Sequence, residues 1–430
     1  MVSKALNRVK NSPFLKYNLI FFTANILVGL VNYFYNFTVA RLLGPSEFGI
    51  IASLLSLVYI LMIPAQVIMT IAVKFTSQFR AQEKNAQISA LLSKFSLYLF
   101  VFGLVSFLIF SLASPVVASF LNIPSPLLVI LLGLSLLVAF LSPLNRGVLQ
   151  GMQRFVGLSL NMGLEVITKL FLAIILILLG LKTAGAILAI SLAAMVGYAQ
   201  SFYPLRDFLK KSSLEIPFRS IVAYSPTVLL AFLGITLLQN TDVLLVKHFF
   251  PPAQAGLYAA VSLMGKIILF VTLPVAGVMF PIVAERHEKN EKHHHLVNFS
   301  FLVGLGLAGI ILLGYVLFPK LAISILFGKK YLGGSSYLIW LGLVGTLHSL
   351  CFILINYFLS VRNATFLPVL LAVATIEALL IYFFHFNIYQ VITVVILSLS
   401  LLLIFLLILY LQTITRTTTK QPAARESLGG

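Results

Sequence analysis

Charged side chains stand inside stretches of this sequence that are otherwise apolar, and their type and spacing indicate the chemistry that the chain could do. Lys266 lies fourteen residues into one such stretch, with no acidic residue three or four positions away. Lys74 and Arg146 lie nearer the ends of two others. Cations at such depth are costly and usually face a cavity or a counter-charge. An anionic head group could neutralise Lys266, and so could a standing ion pair with Asp242 or Glu377; Lys74 and Arg146 could also extend to the interface.

Amide and hydroxyl groups form stripes along the faces of these stretches. Residues spaced by three, four or seven positions share one face of a helix. Four such stripes are present: Asn25, Asn32 and Asn36; Ser225, Thr236 and Asn240; Ser56, Thr70 and Lys74; and Tyr258, Ser262 and Lys266. We expect these faces to line a substrate cavity, although the same residue types also join helices by hydrogen bonds.

Buried acidic residues supply a second kind of chemistry. Asp242 and Glu377 could bind a coupling cation or a proton, or could pair with Lys266, His348 or Lys247. Glu165 and Lys169 are four positions apart, the favourable order for a pair within one helix.

No catalytic motif, phosphate-binding loop or cofactor-binding signature is found, so we expect a protein that is not an enzyme and uses no cofactor. The histidine-rich run 285–295 could suggest a metal site, but a solvated mixed-charge linker explains it.

The elements that position these residues must be membrane-spanning helices. Of the 430 residues, 60% are hydrophobic and 9% are charged, whereas soluble domains carry roughly 25% charged residues. The apolar blocks are twenty or more residues long, enough for a helix to cross about 30 Å of hydrocarbon. We therefore predict an all-α, multi-pass membrane protein with twelve spans: 17–42, 46–77, 88–113, 127–150, 156–180, 183–205, 221–249, 253–284, 296–318, 335–359, 364–384 and 387–411.

Basic residues are distributed unevenly between the predicted loops. An internal N-terminus places twenty-one of the twenty-nine Lys and Arg residues inside and six outside, with Lys169 and Lys266 within spans. This asymmetry predicts that both termini are cytoplasmic. It also accounts for most of the net charge of +18, so we expect no nucleic-acid partner.

A weak internal repeat divides the chain into two halves. Pro45, Gly49 and Ala52 match Pro252, Gly256 and Ala259 at a constant offset of 207 residues. Pro64 and Pro274 interrupt the second span of their halves. We predict a basic cytoplasmic N-terminus at 1–16, an N-lobe at 17–211, a C-lobe at 212–411 and a disordered cytoplasmic tail at 412–430. The lobes should be related by a pseudo-two-fold axis along the membrane normal, with the substrate cleft between them.

Three strings carry a resemblance to a known family. They are ARLLGPSEFGIIASLLSLVYI from Ala40, NTDVLLVKHFFPPAQAGLYAAVSLMGKIILF from Asn240 and RGVLQGMQRF from Arg146. Together they resemble the Wzx-type polysaccharide or O-antigen flippases of the multidrug/oligosaccharidyl-lipid/polysaccharide (MOP) exporter superfamily.

The resemblance implies a plasma-membrane flippase that moves a polyprenyl-pyrophosphate-linked oligosaccharide, such as a lipopolysaccharide repeat unit, by alternating access. It implies membrane lipid, a polysaccharide polymerase and a chain-length protein as partners. Lys266, Lys74 and Arg146 become candidate pyrophosphate contacts, and Pro64 and Pro274 candidate gating bends. Lys266→Ala is expected to abolish surface glycan while leaving the protein folded and inserted.

Three other functions remain open at this point. A cation-coupled drug or metabolite antiporter of the same superfamily would use acidic residues in its cavity. A peptidoglycan-precursor flippase would have two further helices. A membrane-embedded glycan ligase or polymerase would need a large external loop, and the longest external loop here, at 319–334, is short.

Overall fold

All regular structure in the computed structural model is helical, over the part of the chain that it describes, residues 13–209, 218–289 and 291–426. The α-helices in chain order are α1 Pro13–Leu43, α2 Pro45–Leu61, α3 Ile63–Ala81, α4 Asn85–Leu112, α5 Ser114–Phe120, α6 Pro126–Gly133, α7 Leu136–Ala139, α8 Leu141–Gly151, α9 Phe155–Leu176, α10 Lys182–Leu205, α11 Phe218–Phe249, α12 Pro252–Glu288, α13 His294–Leu317, α14 Pro319–Leu326, α15 Leu338–Ser360, α16 Leu367–Phe383 and α17 Ile388–Glu426. A π-helical turn, Ile177–Leu181, joins α9 to α10, and 3₁₀ segments at Arg206–Phe208 and Lys329–Tyr337 flank α10 and α15.

Many of these helices are long and apolar enough to cross a membrane. Within the described residues there are nine such stretches, or ten when the bent pair α2 and α3 is taken as one span. One of the nine, Phe155–Phe208, contains both α9 and α10. The helix α16 is apolar but only 17 residues long. The multi-pass membrane prediction is therefore confirmed.

The helices α9 and α10 form an antiparallel hairpin. Gly180 breaks the helical path with φ of 91°, a left-handed conformation that glycine adopts without strain. Along the pair, Gly185 lies against Leu176, Gly197 against Glu165 and Gly157 against Pro204. In these contacts the residue number on α9 falls as the residue number on α10 rises, so the two helices run in opposite directions.

The predicted second span is broken where the sequence places Pro64. The helices α2 and α3 meet at Met62 with a bend of 46°, and Pro64 is the second residue of α3. Proline tolerates a first-turn position because its missing N–H would be unpaired there. The repeat-related Pro274 differs, because α12 runs through it without ending. The predicted interruption of the eighth span at Pro274 is therefore wrong.

The predicted fourth span, 127–150, is divided among α6, α7 and α8. The remaining predicted spans coincide with observed helices to within a few residues, but the predicted C-terminal end of the last one does not. The last helix, α17, continues to Glu426, so residues 412–426 are helical where disorder was predicted. The predicted lobe boundary at 211/212 lies outside the described residues.

The chain divides into two compact units, Met1–Phe232 and Leu233–Gly430, called here the N-unit and the C-unit. In the N-unit, α8 packs on α3 through two glycines four residues apart. A side chain at Gly147 would collide with Ala72 and the carbonyl of Met69, and one at Gly151 with Thr76. Small residues of this spacing let membrane helices approach closely.

In the C-unit, α15 crosses α12 in the same manner. A side chain at Gly345 would collide with the carbonyl oxygen of Gly265, and one at Gly265 with that of Leu341. Ser349 of α15 also donates a hydrogen bond of 2.6 Å to Thr272 of α12. Each unit thus packs the second span of its half against the fourth through glycine, as expected for a repeat.

Candidate functional site

A polar stripe on α3 opens onto a crevice in the N-unit. Gln66, Thr70 and Lys74 are spaced by four residues and share one face; with Gln150 they contribute the polar lining of a cavity of about 380 Å³. Lys74 and Gln66 are exposed, and the Lys74 ammonium lies 5.9 Å from the Phe75 ring centroid. The lining contains no acidic side chain. The crevice therefore has the volume and the charge to take a multi-atom anion.

A network of ion pairs and amides holds Arg146 beside α9. Its Nη2 lies 2.5 Å from Oε2 of Glu165, and its Nε donates a 2.8 Å hydrogen bond to Asn161. Asn161 in turn donates to the carbonyl of Gly197 at 2.6 Å and to Gln200 at 2.7 Å. Arg146 is thus neutralised by a standing ion pair, and Glu165 pairs with Arg146 at this distance instead of forming the predicted close pair with Lys169.

Lys169 is a site residue that the predicted substrate contacts did not include. Its ammonium donates a hydrogen bond to Oδ1 of Asn32 and lies 4.6 Å from the ring centroid of Tyr35. Asn36, on the same stripe, donates to the backbone carbonyl of Asn32 at 2.9 Å. The sequence contained a signal for this contact, because the lysine within the fifth predicted span and the asparagine stripe on the first both need polar partners.

The C-unit gathers a second polar cluster from α11, α12 and α16. Tyr258 donates a 2.7 Å hydrogen bond to Oδ2 of Asp242, and Lys266 donates one of 3.3 Å to Oδ1 of Asn240. Asp242 is 4% exposed and Glu377 is 0% exposed. Both acids predicted to couple transport to an ion therefore lie in one buried cluster.

The carboxylates of this cluster are incompletely satisfied by the described residues. Oδ1 of Asp242 and both carboxylate oxygens of Glu377 have no hydrogen-bond partner there, and the two acids interact electrostatically. Asp242 has Tyr258 and Lys266 as neighbours, but Glu377 has no such partner in the described part of the chain and should take up a proton or a cation, because an isolated charge in an apolar interior is too costly. The arrangement suits the binding of one small cation or proton.

Lys266 lies against a cavity that is far smaller than the N-unit crevice. Asp242, Ser262, Lys266 and His348 line it, and its volume is about 10 Å³, roughly the space of one water molecule. In this conformation Lys266 is bound to Asn240 and has no room beside it for a pyrophosphate. Among the described residues no carboxylate lies within ion-pair distance of Lys266.

The described part of the histidine-rich segment is partly buried, whereas a solvated linker was predicted. His293 is 5% exposed, its ring centroid lies 6.1 Å from that of Tyr357, and its Nδ1 lies 3.0 Å from the carbonyl oxygen of Glu291. Burial lowers the pKa of His293 below its ordinary value. No group of three or more candidate metal ligands is found in the described part of the chain.

Comparisons with known proteins agree with this architecture. The match to the family of polysaccharide biosynthesis proteins spans residues 14–287, more than half of the chain. Over 319 residues the chain is 24% identical to an uncharacterised membrane protein of Methanocaldococcus jannaschii, an alignment that covers 69% of this chain and 72% of that protein.

Solved structures share the fold at low sequence identity. An inward-facing multidrug resistance MATE family transporter of the MOP superfamily matches with a TM-score of 0.77 and 13% identity, over 92% of this chain and 96% of that one. The lipid II flippase MurJ, in an inward closed conformation, matches with a TM-score of 0.72 and 13% identity, over 92% and 87%.

A MOP superfamily transporter from Pyrococcus furiosus, described as having a binding pocket of reverse polarity, matches with a TM-score of 0.59 and 16% identity, over 93% and 94%. Identities this low show the fold alone. The fold is that of MOP superfamily transporters.

Proposed function

The chain belongs to the family of polysaccharide biosynthesis proteins, and from this premise we propose that it is a flippase. Its substrate would be a polyprenyl-pyrophosphate-linked oligosaccharide, moved from the cytoplasmic to the outer leaflet of the plasma membrane by alternating access. The fold that it shares with MOP superfamily transporters supports transport rather than catalysis.

The observation that carries the proposal is the crevice of the N-unit. A cation, two amides and a hydroxyl on α3 and α8 face about 380 Å³ of space. Pyrophosphate would contact Lys74, and the amides Gln66 and Gln150 would bind sugar hydroxyls. Lys266 and Arg146 take lesser parts, because Lys266 lacks space beside it and Arg146 is neutralised by Glu165. Asn32 acts through Lys169, whose ammonium it binds.

The C-unit cluster would supply the energy coupling. Binding of a cation or proton between Asp242 and Glu377 would neutralise charge in the buried interior, and its release would restore it. Asn240 and Ser262 would then belong to the ion site and not to the glycan site. The bend at Pro64 is a candidate hinge, whereas the continuous helix at Pro274 is a weaker one.

The proposed topology has twelve spans with both termini cytoplasmic. Counting the hairpin α9 and α10 as two spans, the pair α2 and α3 as one, and the short α16 as one raises the nine long stretches to twelve. A polysaccharide polymerase and a chain-length protein are the partners that such a flippase would supply with substrate.

A cation-coupled drug antiporter is the second candidate, favoured by the buried acids Asp242 and Glu377 and by the shared MATE fold. Such a protein would bind an organic cation, which needs acidic groups in a spacious cavity. The Lys74 crevice has no acid in its lining, while Asp242 lies beside a cavity of only about 10 Å³. The geometry therefore favours an anionic substrate.

Reconstitution tests the proposal directly. Purified protein in liposomes should translocate a fluorescent polyprenyl-pyrophosphate glycan, measured by protection from a membrane-impermeant quencher. Lys74→Gln should slow this transport by about ten- to a hundred-fold, because a hydrogen bond to a charged group contributes about 1.5–3 kcal/mol.

Arg80→Gln is the matched control, since it removes one positive charge from the exposed end of the same helix. Transport by Lys74→Gln at the wild-type rate would exclude the crevice as the pyrophosphate site. Wild-type liposomes that move no more glycan than protein-free liposomes would contradict the flippase assignment itself.

A further inference from the structure

A second crevice lies at the open end of the α9 and α10 hairpin. It is lined by residues 153–157 and by 203, 204, 206 and 207, and has a volume of about 470 Å³. It shares no lining residue with the Lys74 crevice, and neither the substrate path nor the ion cluster uses it.

The length of the hairpin places this crevice at the edge of the membrane. The helix α9 has 22 residues, so it rises about 33 Å between the crevice and the turn at Gly180. That is about the thickness of the hydrocarbon layer. If the turn lies at one membrane surface, the crevice therefore lies at the other, at the depth of lipid headgroups.

The crevice carries a net positive charge. Arg154 donates a 2.5 Å hydrogen bond to the carbonyl of Pro204 and lies 2.8 Å from Oδ2 of Asp207. Nε of Arg206 is 3.9 Å from the other oxygen of the same carboxylate, and its side chain is 71% exposed. Two guanidinium groups thus face one acid. The first turn of α9 adds backbone N–H groups and has neither an acidic residue nor a side-chain cap.

Apolar surface continues from the crevice along the hairpin. Tyr203 is 71% exposed and Leu160 62% exposed, and the Arg206 guanidinium lies 5.4 Å from the Tyr203 ring centroid. In a membrane protein such exposed residues face acyl chains, and an aromatic ring beside an arginine is typical of the interface. A ligand here can place a negative charge in the crevice and hydrocarbon on the hairpin.

We propose that this crevice binds the phosphodiester headgroup of an anionic phospholipid taken from the surrounding leaflet. The headgroup is held by Arg206 and the open turn of α9, and its acyl chains lie along α9 and α10. A free phosphate ester shares the headgroup chemistry, but it would leave the apolar wall beside Tyr203 unused. The bound lipid joins the N-terminus of α9 to the C-terminus of α10. This proposal does not depend on the flippase assignment.

Native mass spectrometry of the purified full-length protein in detergent tests the proposal. Phosphatidylglycerol and phosphatidylcholine with identical acyl chains are titrated separately, and sn-glycerol 3-phosphate is added as a soluble competitor. Wild type should retain phosphatidylglycerol in preference to phosphatidylcholine, and Arg206→Gln should lower that retention about tenfold, as expected for the loss of one hydrogen bond to a charged group. Arg206 is the residue to change because Arg154 also holds the carbonyl of Pro204.

Arg80→Gln, an equal loss of charge outside the crevice, should retain phosphatidylglycerol like the wild type. Equal retention by Arg206→Gln and wild type would overturn the proposal, and so would an equal loss in Arg80→Gln, which would indicate diffuse surface charge. Displacement of the lipid by millimolar glycerol phosphate would overturn the assignment to a lipid. No arm measures transport, so failure here leaves the flippase proposal untouched.

Discussion

The polar groups of the N-unit and the C-unit are both embedded among apolar helices, but they are satisfied in different ways. In the N-unit, Arg146 has a carboxylate at 2.5 Å and Lys169 has an amide; the same unit has a crevice of about 380 Å³ lined by Lys74. In the C-unit, three carboxylate oxygens of Asp242 and Glu377 have no partner among the described residues, and the nearby cavity is about 10 Å³.

This difference suggests that the two units bind different ligands. A spacious crevice lined by a lysine and amides can take a large anion. A buried cluster whose carboxylate oxygens lack partners among the described residues changes its charge balance on binding a single small ion. We infer that the N-unit takes the bulky anion and the C-unit the coupling ion. Four experiments can test this contrast between the units.

Glu377→Gln should have the largest effect. The amide has the size of the carboxylate but needs no proton or cation, so the variant should fold and lose ion-coupled transport. A coupling cation at a hundred times its Kd should stabilise the wild type by about 2.7 kcal/mol and the variant not at all. Thermal unfolding in detergent with sodium, with potassium and at two pH values measures this.

Glu165→Gln in the N-unit is the matched control for ion dependence. Because Glu165 is neutralised by Arg146, this variant should keep the response to the ion. Loss of that response in Glu165→Gln together with its survival in Glu377→Gln would reverse the roles of the two units.

Arg146→Met tests whether the N-unit charges are a standing pair. The single change leaves the Glu165 carboxylate half-buried without its counter-charge and should cost about 2 kcal/mol, less than a fully buried pair would. Adding Glu165→Gln should restore most of the loss. Unfolding temperatures of the single and double variants measure the coupling; losses that simply add would show that the pair is not closed in the protein.

Lys266→Gln and Lys74→Gln compare the loss of a half-buried cation with the loss of an exposed one. Lys266→Gln removes the donor to Asn240 and a cation that interacts electrostatically with Asp242, so we expect a loss of about 1–3 kcal/mol of stability. Lys74→Gln should change stability by less than about 0.5 kcal/mol. The structure therefore sharpens the expectation for Lys266→Ala, which should affect folding as well as glycan export. Equal stabilities of the two variants would contradict the contrast.

Acidification should have the smallest effect on stability. This effect should arise in the C-unit alone. All seven histidines lie between positions 248 and 385. Burial lowers the pKa of His293, so below the ordinary histidine value near 6.5 the unfolded chain binds a proton that the folded protein excludes. Stability should be unaffected by His293 at pH 7.5 and should fall as pH drops through 6.5. When the pH is lowered from 7.5 to below 6.5, the unfolding temperature of His293→Asn should fall less than that of the wild type.

Much of the fold could be predicted from hydropathy alone, and its exceptions are informative. A helix in lipid must satisfy its own backbone, so twenty apolar residues are enough to predict a span. Pro64 correctly predicted a break because it falls where a helix can restart. Pro274 did not, because a long helix packed on its neighbour through Gly265 and Gly345 can accommodate a proline without ending.

The candidate site was predictable in its residue types and not in its partners. Lys74, Asp242 and Glu377 were identified because ionisable groups within spans need a reason to be there. Whether each one faces a cavity or a counter-charge depends on how neighbouring helices are rotated, and spacing along one helix carries no such information. Lys169 was therefore assigned to Glu165, its neighbour in sequence, when its close contacts come from Asn32 and Tyr35 on another helix.

Local composition and period are enough to show that this chain spans a membrane as helices and which polar residues must find partners there. That Arg146 is neutralised, that Lys266 has room for about one water and that Lys74 faces an open crevice is visible only in the folded protein. Those outcomes depend on volumes and distances between helices far apart in the chain, which are properties of the packing alone.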